Sequence, residues 1–232
     1  VVTGIDGIAT TSTFTANGTP GSYAVTASAS GYDSVDFQLT NLPASSTRYV
    51  TPTGSDESPT TCNSPAAPCL TLHKAIASAI AGDNIYVAEG LYLVTGLPVE
   101  LNKNITILGG WNDAFTSQTG FSTLDGNGST GTLVQIKKNA VIERFIFKNR
   151  SLGIDISDGE TCPISATVTL RQSSITGMIG EGGLRNCGTL SIINSTIGNN
   201  QGIAGAIDND FGTLTIQNTT ITKNTSTNGQ FG

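Results

Sequence analysis

The chain repeats one nine-residue stretch three times towards its end. TLTIQNTTI at 213–221 follows TLSIINSTI at 189–197, and a looser copy, TVTLRQSSI, stands at 167–175. In each copy apolar residues alternate with Thr or Ser, a period of two that is typical of a strand with one buried face. Three columns keep an aliphatic residue in every copy: Val168, Leu190 and Leu214; Leu170, Ile192 and Ile216; Ile175, Ile197 and Ile221.

A second strand pattern keeps step with the first, because GGLRN at 182–186 recurs as GAIDN at 205–209. The nine-residue copies begin at 167, 189 and 213, so they lie 22 and 24 residues apart. That period is the length of one coil of a parallel β-helix, in which every coil stacks on its neighbour. We therefore predict an all-β chain whose main part is a right-handed parallel β-helix of roughly six coils, with same-column aliphatic residues stacked in its interior.

The charge of the chain excludes several classes of partner. Charged residues make up 12% of the sequence, the net charge is −6, and Lys and Arg form no cluster that would neutralise phosphates. Nucleic acid is therefore not an expected partner. No apolar run approaches the roughly 20 residues of a membrane span. The chain begins with Val1 and shows no signal sequence, so we expect either a removed signal or a segment of a longer protein.

The four cysteines fall into two local pairs. Cys62 and Cys69 bracket a proline-rich loop, and Cys162 and Cys187 lie 25 residues apart, about one coil. Residues one coil apart lie within reach of a disulfide, so we expect the bonds 62–69 and 162–187. Four free thiols or a zinc site are the alternatives, although the spacings do not suit zinc. Two disulfides imply an oxidising compartment and an extracellular location.

Residues 1–45 show a different pattern from the rest of the chain. Alternating stretches at 7–16, 21–31 and 34–40 predict three antiparallel strands with one apolar face. The sequence FTANGTPGSYAV in this segment resembles the C-terminal half of a bacterial immunoglobulin-like domain. The resemblance implies a partial β-sandwich, whose uncovered face would be covered by preceding residues, by the β-helix, or by strand addition from a neighbouring molecule.

The remaining chain divides into two predicted parts. Residues 46–70 are rich in Pro, Ser and Thr and predict a linker with a disulfide loop. Residues 71–232 predict the β-helix, open at its C-terminal end. It would begin with an amphipathic capping helix that starts at Thr71 and ends at Gly82.

The start of the β-helix carries a family resemblance. The run from YVTPTGSD through CLTLHKAIASAIAGDNIYVAEGLY to ITILGGWNDAF resembles bacterial surface proteins related to the polymorphic outer membrane protein family. The later AGAI at 204–207 and NSTI at 194–197 are similar to repeats of that family. In IGNN at 197–200 and ITKN at 221–224, Ile stands where the family's repeats favour Phe. The resemblance covers about residues 48–232. It implies a cell-surface protein with an adhesive or structural role.

Two groups of acidic residues are candidates for catalysis. Asp155 lies near Asp158, and Asp208 lies near Asp210, but Arg185 should stand between Asp155 and Asp208 in the stack. Such an alternation is usually charge balance, and the single histidine, His73, lies on the capping helix. We therefore predict no catalytic residues, no cofactor, no metal and no enzymatic activity.

Asparagines supply the other candidate sites. Asn194 and Asn218 share a repeat column and predict a ladder of stacked amides. Asn17, Asn104 and Asn127 stand in sequons at predicted turns and are the candidates for glycosylation. DGNGSTG at 125–131 begins like a calcium loop but lacks the required Gly and Glu, so a surface turn is expected. Trp111, which follows two glycines, is expected to pack at a corner of the coils.

These observations predict a structural or adhesive extracellular protein. It would associate with itself or with another surface protein, for example as the subunit of a fibre assembled head-to-tail by strand addition. The alternative is a carbohydrate-binding or polysaccharide-degrading β-helix.

Overall fold

The computed structural model describes residues 5, 6, 8, 19–41 and 46–229. The chain divides into two compact units, Val1–Ala44 and Ser45–Gly232. In the first unit, β1 (Gly21–Ala27) pairs antiparallel with β2 (Val35–Asn41). The strand predicted at 7–16 lies, apart from Ile8, outside the described residues, so the immunoglobulin-like assignment stays a prediction.

The second unit is a parallel β-helix, as the repeat predicts. Its seven-stranded sheet is entirely parallel. Its strands are β3 (Thr47–Val50), β4 (Asn84–Ala88), β7 (Ile105–Trp111), β9 (Ala140–Glu143), β11 (Thr167–Arg171), β15 (Thr189–Ile193) and β19 (Thr213–Gln217).

A nine-stranded parallel sheet forms the other two sides of the coils. Two of its strands, β8 (Ser122–Ile136) and β10 (Phe145–Ile156), are long enough to turn a corner and join both sides. One side adds β5 (Gly90–Leu93), β12 (Ser174–Thr176), β16 (Thr196–Gly198) and β20 (Thr220–Thr222). The other side adds β6 (Val99–Leu101), β14 (Gly182–Asn186) and β18 (Ile207–Asn209). A short three-stranded sheet contains β13 (Ile179–Gly180), β17 (Gln201–Gly202) and β21 (Thr225–Ser226).

The aliphatic columns of the repeat stack directly on one another. Ile175 pairs with Ile197 and Ile197 with Ile221 in adjacent coils. The columns that begin at Val168 and Leu170 pair in the same way. Because successive side chains of a strand point to opposite faces, these residues share the inner face. Ile175 and Ile197 are fully buried, whereas Ile221 in the last described coil is 45% exposed. The predicted stacking is confirmed.

The capping helix is shorter than predicted. Helix α1 (Leu72–Ser78) begins after Thr71, whose side chain accepts a hydrogen bond from the Lys74 N–H. It ends at Ser78, with Ala79 as its C-cap, rather than at Gly82. Lys103 explains the earlier end, because its ammonium group donates to the carbonyls of Ile76, Ala77 and Ala79 and so satisfies the last turn. No helix in the described ranges is both long and apolar enough to cross a membrane.

The segment predicted as a linker belongs to the β-helix. β3 lies within residues 46–70 and pairs along its length with β4. The buried Asp83 carboxylate accepts hydrogen bonds from the Ser46 N–H and from Arg48, whose Nε lies 3.0 Å from Asp83 Oδ2. The repeat does not indicate this contact, because Arg48 and Asp83 lie 35 residues apart, which is more than the repeat length of 22 to 24.

Candidate functional site

One outward column of the β-helix carries charged side chains in successive coils. It contains Glu100, Gln135, Asp155, Arg185 and Asp208, each paired with the next in parallel register. We call this set the outer column. The predicted alternation of acid, base and acid is present, since Arg185 lies between Asp155 and Asp208.

Arg185 is held from one side by a carboxylate. Its Nη2 atom lies 3.3 Å from Oδ2 of Asp210, and its side chain is 41% exposed. The same nitrogen lies 3.8 Å from Sγ of Cys162. The Asp210 N–H donates to the carbonyl of Asn186 at 3.0 Å, which fixes this carboxylate beside the outer column. The guanidinium is therefore oriented but still reaches solvent.

Asp155 is buried although it belongs to an outward column. Segment 157–166 runs over it, because Gly159 lies against Gln135 and Cys162 lies against Arg185, the two neighbours of Asp155. Only 8% of Asp155 is exposed, and its buried Oδ1 has no hydrogen-bond partner in the described chain. Burial raises the pKa of this carboxyl, although Ser157 and Arg185 act in the opposite direction.

Asp158 does not form a catalytic pair with Asp155. Its carboxylate accepts hydrogen bonds from the Thr161 hydroxyl at 2.7 Å, from the Thr161 N–H at 2.7 Å and from the Glu160 N–H at 2.9 Å. These bonds, that from the Thr161 hydroxyl first, lower the pKa of Asp158 to about 2. Asp158 therefore organises the covering segment, while Asp155 lies beneath it.

A cleft of about 190 Å³ lies beside the exposed end of the outer column. Its polar residues are Glu181, Arg185 and Asp208, and neither carboxylate has a hydrogen-bond or ion-pair partner among the described residues. Its apolar residues are Leu152, Leu184, Ile203 and Ala204. The cleft thus combines free acceptors, one donor and an apolar surface. Sequence analysis missed Glu181 and Ile203, which lie at corners outside the repeated strand patterns.

Both predicted disulfides are confirmed. Cys62 is bonded to Cys69 and Cys162 to Cys187, with a Cα–Cα distance of 5.1 Å in each. The second disulfide ties segment 157–166 to the end of β14. The sulfurs of Cys162 and Cys187 lie close to a carboxylate oxygen of Asp210, but their disulfide leaves no thiolate to ligate a metal.

The amide ladder lies at a different corner from the predicted one. Asn194 and Asn218 are exposed and adopt φ of 50° and 47°, so their side chains point outward. The buried Asn200 instead donates to Oδ1 of Asn224 at 2.9 Å and to the carbonyl of Ile175 at 3.1 Å. At the predicted corner the inward contact is made by a hydroxyl, since Ser195 Oγ accepts from the Ser173 N–H. The prediction for Asn194 and Asn218 is therefore corrected.

The remaining candidates are surface or packing residues. Asn104 and Asn127 are exposed, which leaves their glycosylation a prediction, and Asn17 lies outside the described residues. His73 Nε2 lies 3.2 Å from the Leu97 carbonyl oxygen and 3.1 Å from that of Pro98, and neither of these residues belongs to the outer column. Trp111 stacks on Tyr86 with ring centroids 4.2 Å apart, which is a packing contact.

Comparisons with known proteins identify similar solved structures but no family. No family model matches the chain, and no curated protein matches it significantly. A crystal structure of the pectate lyase Pel9A is similar at 15% identity and a TM-score of 0.37, over 66% of this chain and 54% of that one. A rhamnogalacturonan lyase is similar at 15% identity and a TM-score of 0.34, over 77% of this chain and 69% of that one.

These comparisons correct one prediction. The chain spans about half the length of the pectate lyase. Both similar structures are of lyases, and this contradicts the prediction that the chain is not an enzyme. At these TM-scores the likeness assigns neither a site nor a substrate.

Proposed function

We propose that the β-helix is a carbohydrate-binding protein whose site is the cleft beside Arg185. The observation that carries the proposal is the composition of this cleft, where two free carboxylates and an oriented guanidinium face an apolar wall. Sugar rings present hydroxyl groups at their edges and C–H groups on their faces. Carboxylates accept charge-assisted hydrogen bonds from hydroxyls, and aliphatic side chains pack against C–H groups.

Affinity electrophoresis tests the proposal directly. The native chain should be retarded in a gel that contains one or more polysaccharides of a chemically varied panel. The double variant Arg185→Gln/Asp208→Asn should lose this retardation, because it removes the donor and a free acceptor of the cleft. Glu57→Gln is the matched control, since Glu57 is exposed and its carboxylate has no partner in the described chain. Retardation that the double variant keeps would contradict the proposal.

Polysaccharide cleavage is the second candidate function. Asp208 is an exposed carboxylate next to Arg185, so it is placed to accept a proton from a bound sugar. Release of reducing ends from any bound polysaccharide measures this activity. Asp208→Asn should abolish the release, whereas Glu57→Gln should leave it unchanged. Release that Asp208→Asn leaves unchanged would exclude Asp208 as the base.

We also propose that the protein is extracellular and takes part in surface adhesion. Two disulfides support an oxidising compartment. Binding to a polysaccharide would itself be adhesive, in keeping with the resemblance to polymorphic outer membrane proteins. Self-association by strand addition is supported by the exposed Val35, Phe37 and Leu39 of β2. Sedimentation velocity over a range of concentrations tests it, and a chain that stays monomeric throughout would contradict it.

A further inference from the structure

The cleft beside Arg185 carries a surplus of negative charge. Among the described residues, Glu181, Asp208 and one guanidinium, that of Arg185, line the cleft, and Asp210 pairs with this guanidinium, so the local formal charge is −2 when all three carboxylates are ionised. Asp155 beneath the covering segment adds to this charge whenever it is ionised. No Lys among the described residues lines the cleft.

Arg185, the one cation among the described residues that line the cleft, is already paired. Arg185 contacts Asp210 at 3.3 Å, and two further acidic residues, Asp155 and Asp208, flank it in the outer column. Recognition of a ligand carboxylate by arginine is strongest when the planar guanidinium is free for two parallel hydrogen bonds. Such a pair would place the ligand carboxylate beside the like-charged Asp210, which already contacts Nη2 of Arg185. Arg185 can still donate a single hydrogen bond to a hydroxyl or ring oxygen.

The free groups of the cleft suit hydroxyl donors. The carboxylates of Glu181 and Asp208 only accept hydrogen bonds when ionised, and neither has a partner among the described residues. A ligand carboxylate would also be an acceptor, and it would lie well within the screening length of about 8 Å at physiological salt. It would therefore be repelled, whereas a sugar hydroxyl would be bound.

We infer that the cleft selects neutral glycans over chains of uronic acids, an inference that rests on the proposed carbohydrate-binding function. The volume of about 190 Å³ is below the roughly 300 Å³ at which pockets for drug-sized ligands begin. One sugar ring therefore enters at a time, and the rest of a chain would lie along the surface.

The test compares oligosaccharides that differ only in charge. Each uronic acid oligosaccharide of the panel is paired with its carboxyl-reduced counterpart of the same length and linkage, and binding to the native chain is measured by calorimetry. For at least one pair, the neutral form should bind at least tenfold more tightly at low ionic strength. Added salt should narrow the difference, because screening weakens the repulsion of the acidic form.

A variant isolates the charge of the cleft. Glu181→Gln/Asp208→Asn should bring the affinities of the two forms closer together, while Glu57→Gln should leave their ratio unchanged. Acidic forms that bind as tightly as neutral forms, or that bind only when calcium is added, would overturn this inference and leave the proposed function standing. If no member of any pair binds, the proposed function fails, and this inference fails with it.

Discussion

The inner column of Ile175, Ile197 and Ile221 and the outer column of Asp155, Arg185 and Asp208 are built on the same coils. Both are stacked in parallel register by backbone hydrogen bonds. The three inner positions are all Ile, whereas the sign of the charge alternates along the three outer positions. Close packing restricts the interior to apolar side chains that fit together, but the outer face has no such restriction. The residue types on the outer face are therefore better evidence of function than those in the interior.

The inner column should be the more sensitive of the two to substitution. Ile197→Ala removes a fully buried side chain from between two neighbours and should lower the free energy of unfolding by about 2–5 kcal/mol. Thr196→Ala, at the exposed neighbouring position, should change it by no more than about 0.5 kcal/mol. Urea denaturation measures both. Equal effects would mean that the interior of this coil is not packed as described.

The Cys162–Cys187 disulfide fixes segment 157–166, which covers Asp155, to the end of β14. Cys162→Ser/Cys187→Ser opens a loop with a sequence separation of 25 and should cost about 3 kcal/mol. It should also speed amide exchange in residues 157–166. Cys62→Ser/Cys69→Ser opens a loop with a separation of only 7 and should cost less. A larger loss for the second pair would contradict this ranking.

The amide ladder tests which corner residues belong to the interior. Asn200→Ala leaves the Met178 N–H and the Ile175 carbonyl without their side-chain partner, and it should cost about 1–3 kcal/mol. Asn194→Gly changes an exposed residue with φ of 50°, a backbone angle that glycine adopts readily, and should have little effect. Thermal unfolding distinguishes the two. A larger loss at Asn194 would restore the ladder predicted from the sequence.

The acids of the outer face should show opposite dependence on pH. Burial raises the pKa of Asp155 above 3.8, so the folded chain holds this proton more tightly than the unfolded chain does. The free energy of unfolding therefore falls as the pH rises from the unfolded pKa through the folded pKa of Asp155. Asp155→Asn should therefore gain thermal stability relative to the native chain as the pH rises from acid to about 7.

Asp158→Asn is the control of opposite sign. Hydrogen bonds, that from the Thr161 hydroxyl first, lower the Asp158 pKa from 3.8 to about 2. Its contribution is present above the ordinary pKa and is lost as pH falls towards about 2. Asp158→Asn should therefore lose stability at neutral pH, by less than the interior variants. If both variants change thermal stability in the same direction as the pH rises, the described surroundings of Asp155 and Asp158 are wrong.

The sequence predicted the interior well because the interior is periodic. The stacked aliphatic columns and the pairing of Cys162 with Cys187 follow from one repeat length. The amide ladder was misplaced because repetition alone does not tell an outward asparagine from an inward one. Asn200 and Asn224 are also 24 residues apart, and only the backbone angles decide between the two corners.

The candidate site was only partly predictable for the opposite reason. The order of Asp155, Arg185 and Asp208 could be read from the repeat, but the burial of Asp155 depends on segment 157–166, which has no counterpart in the neighbouring coils. Glu181 and Ile203 enter the cleft from corners, where no strand pattern indicates direction.

Nuclear magnetic resonance titration with neutral oligosaccharides tests the central claim most directly, because the chain of 23.8 kDa is small enough for residue-resolved amide spectra. We expect the chemical-shift changes to concentrate at residues 181–185 and 203–208, on both sides of the cleft. Shifts confined to another face of the β-helix, or no shifts with any oligosaccharide of the panel, would contradict it.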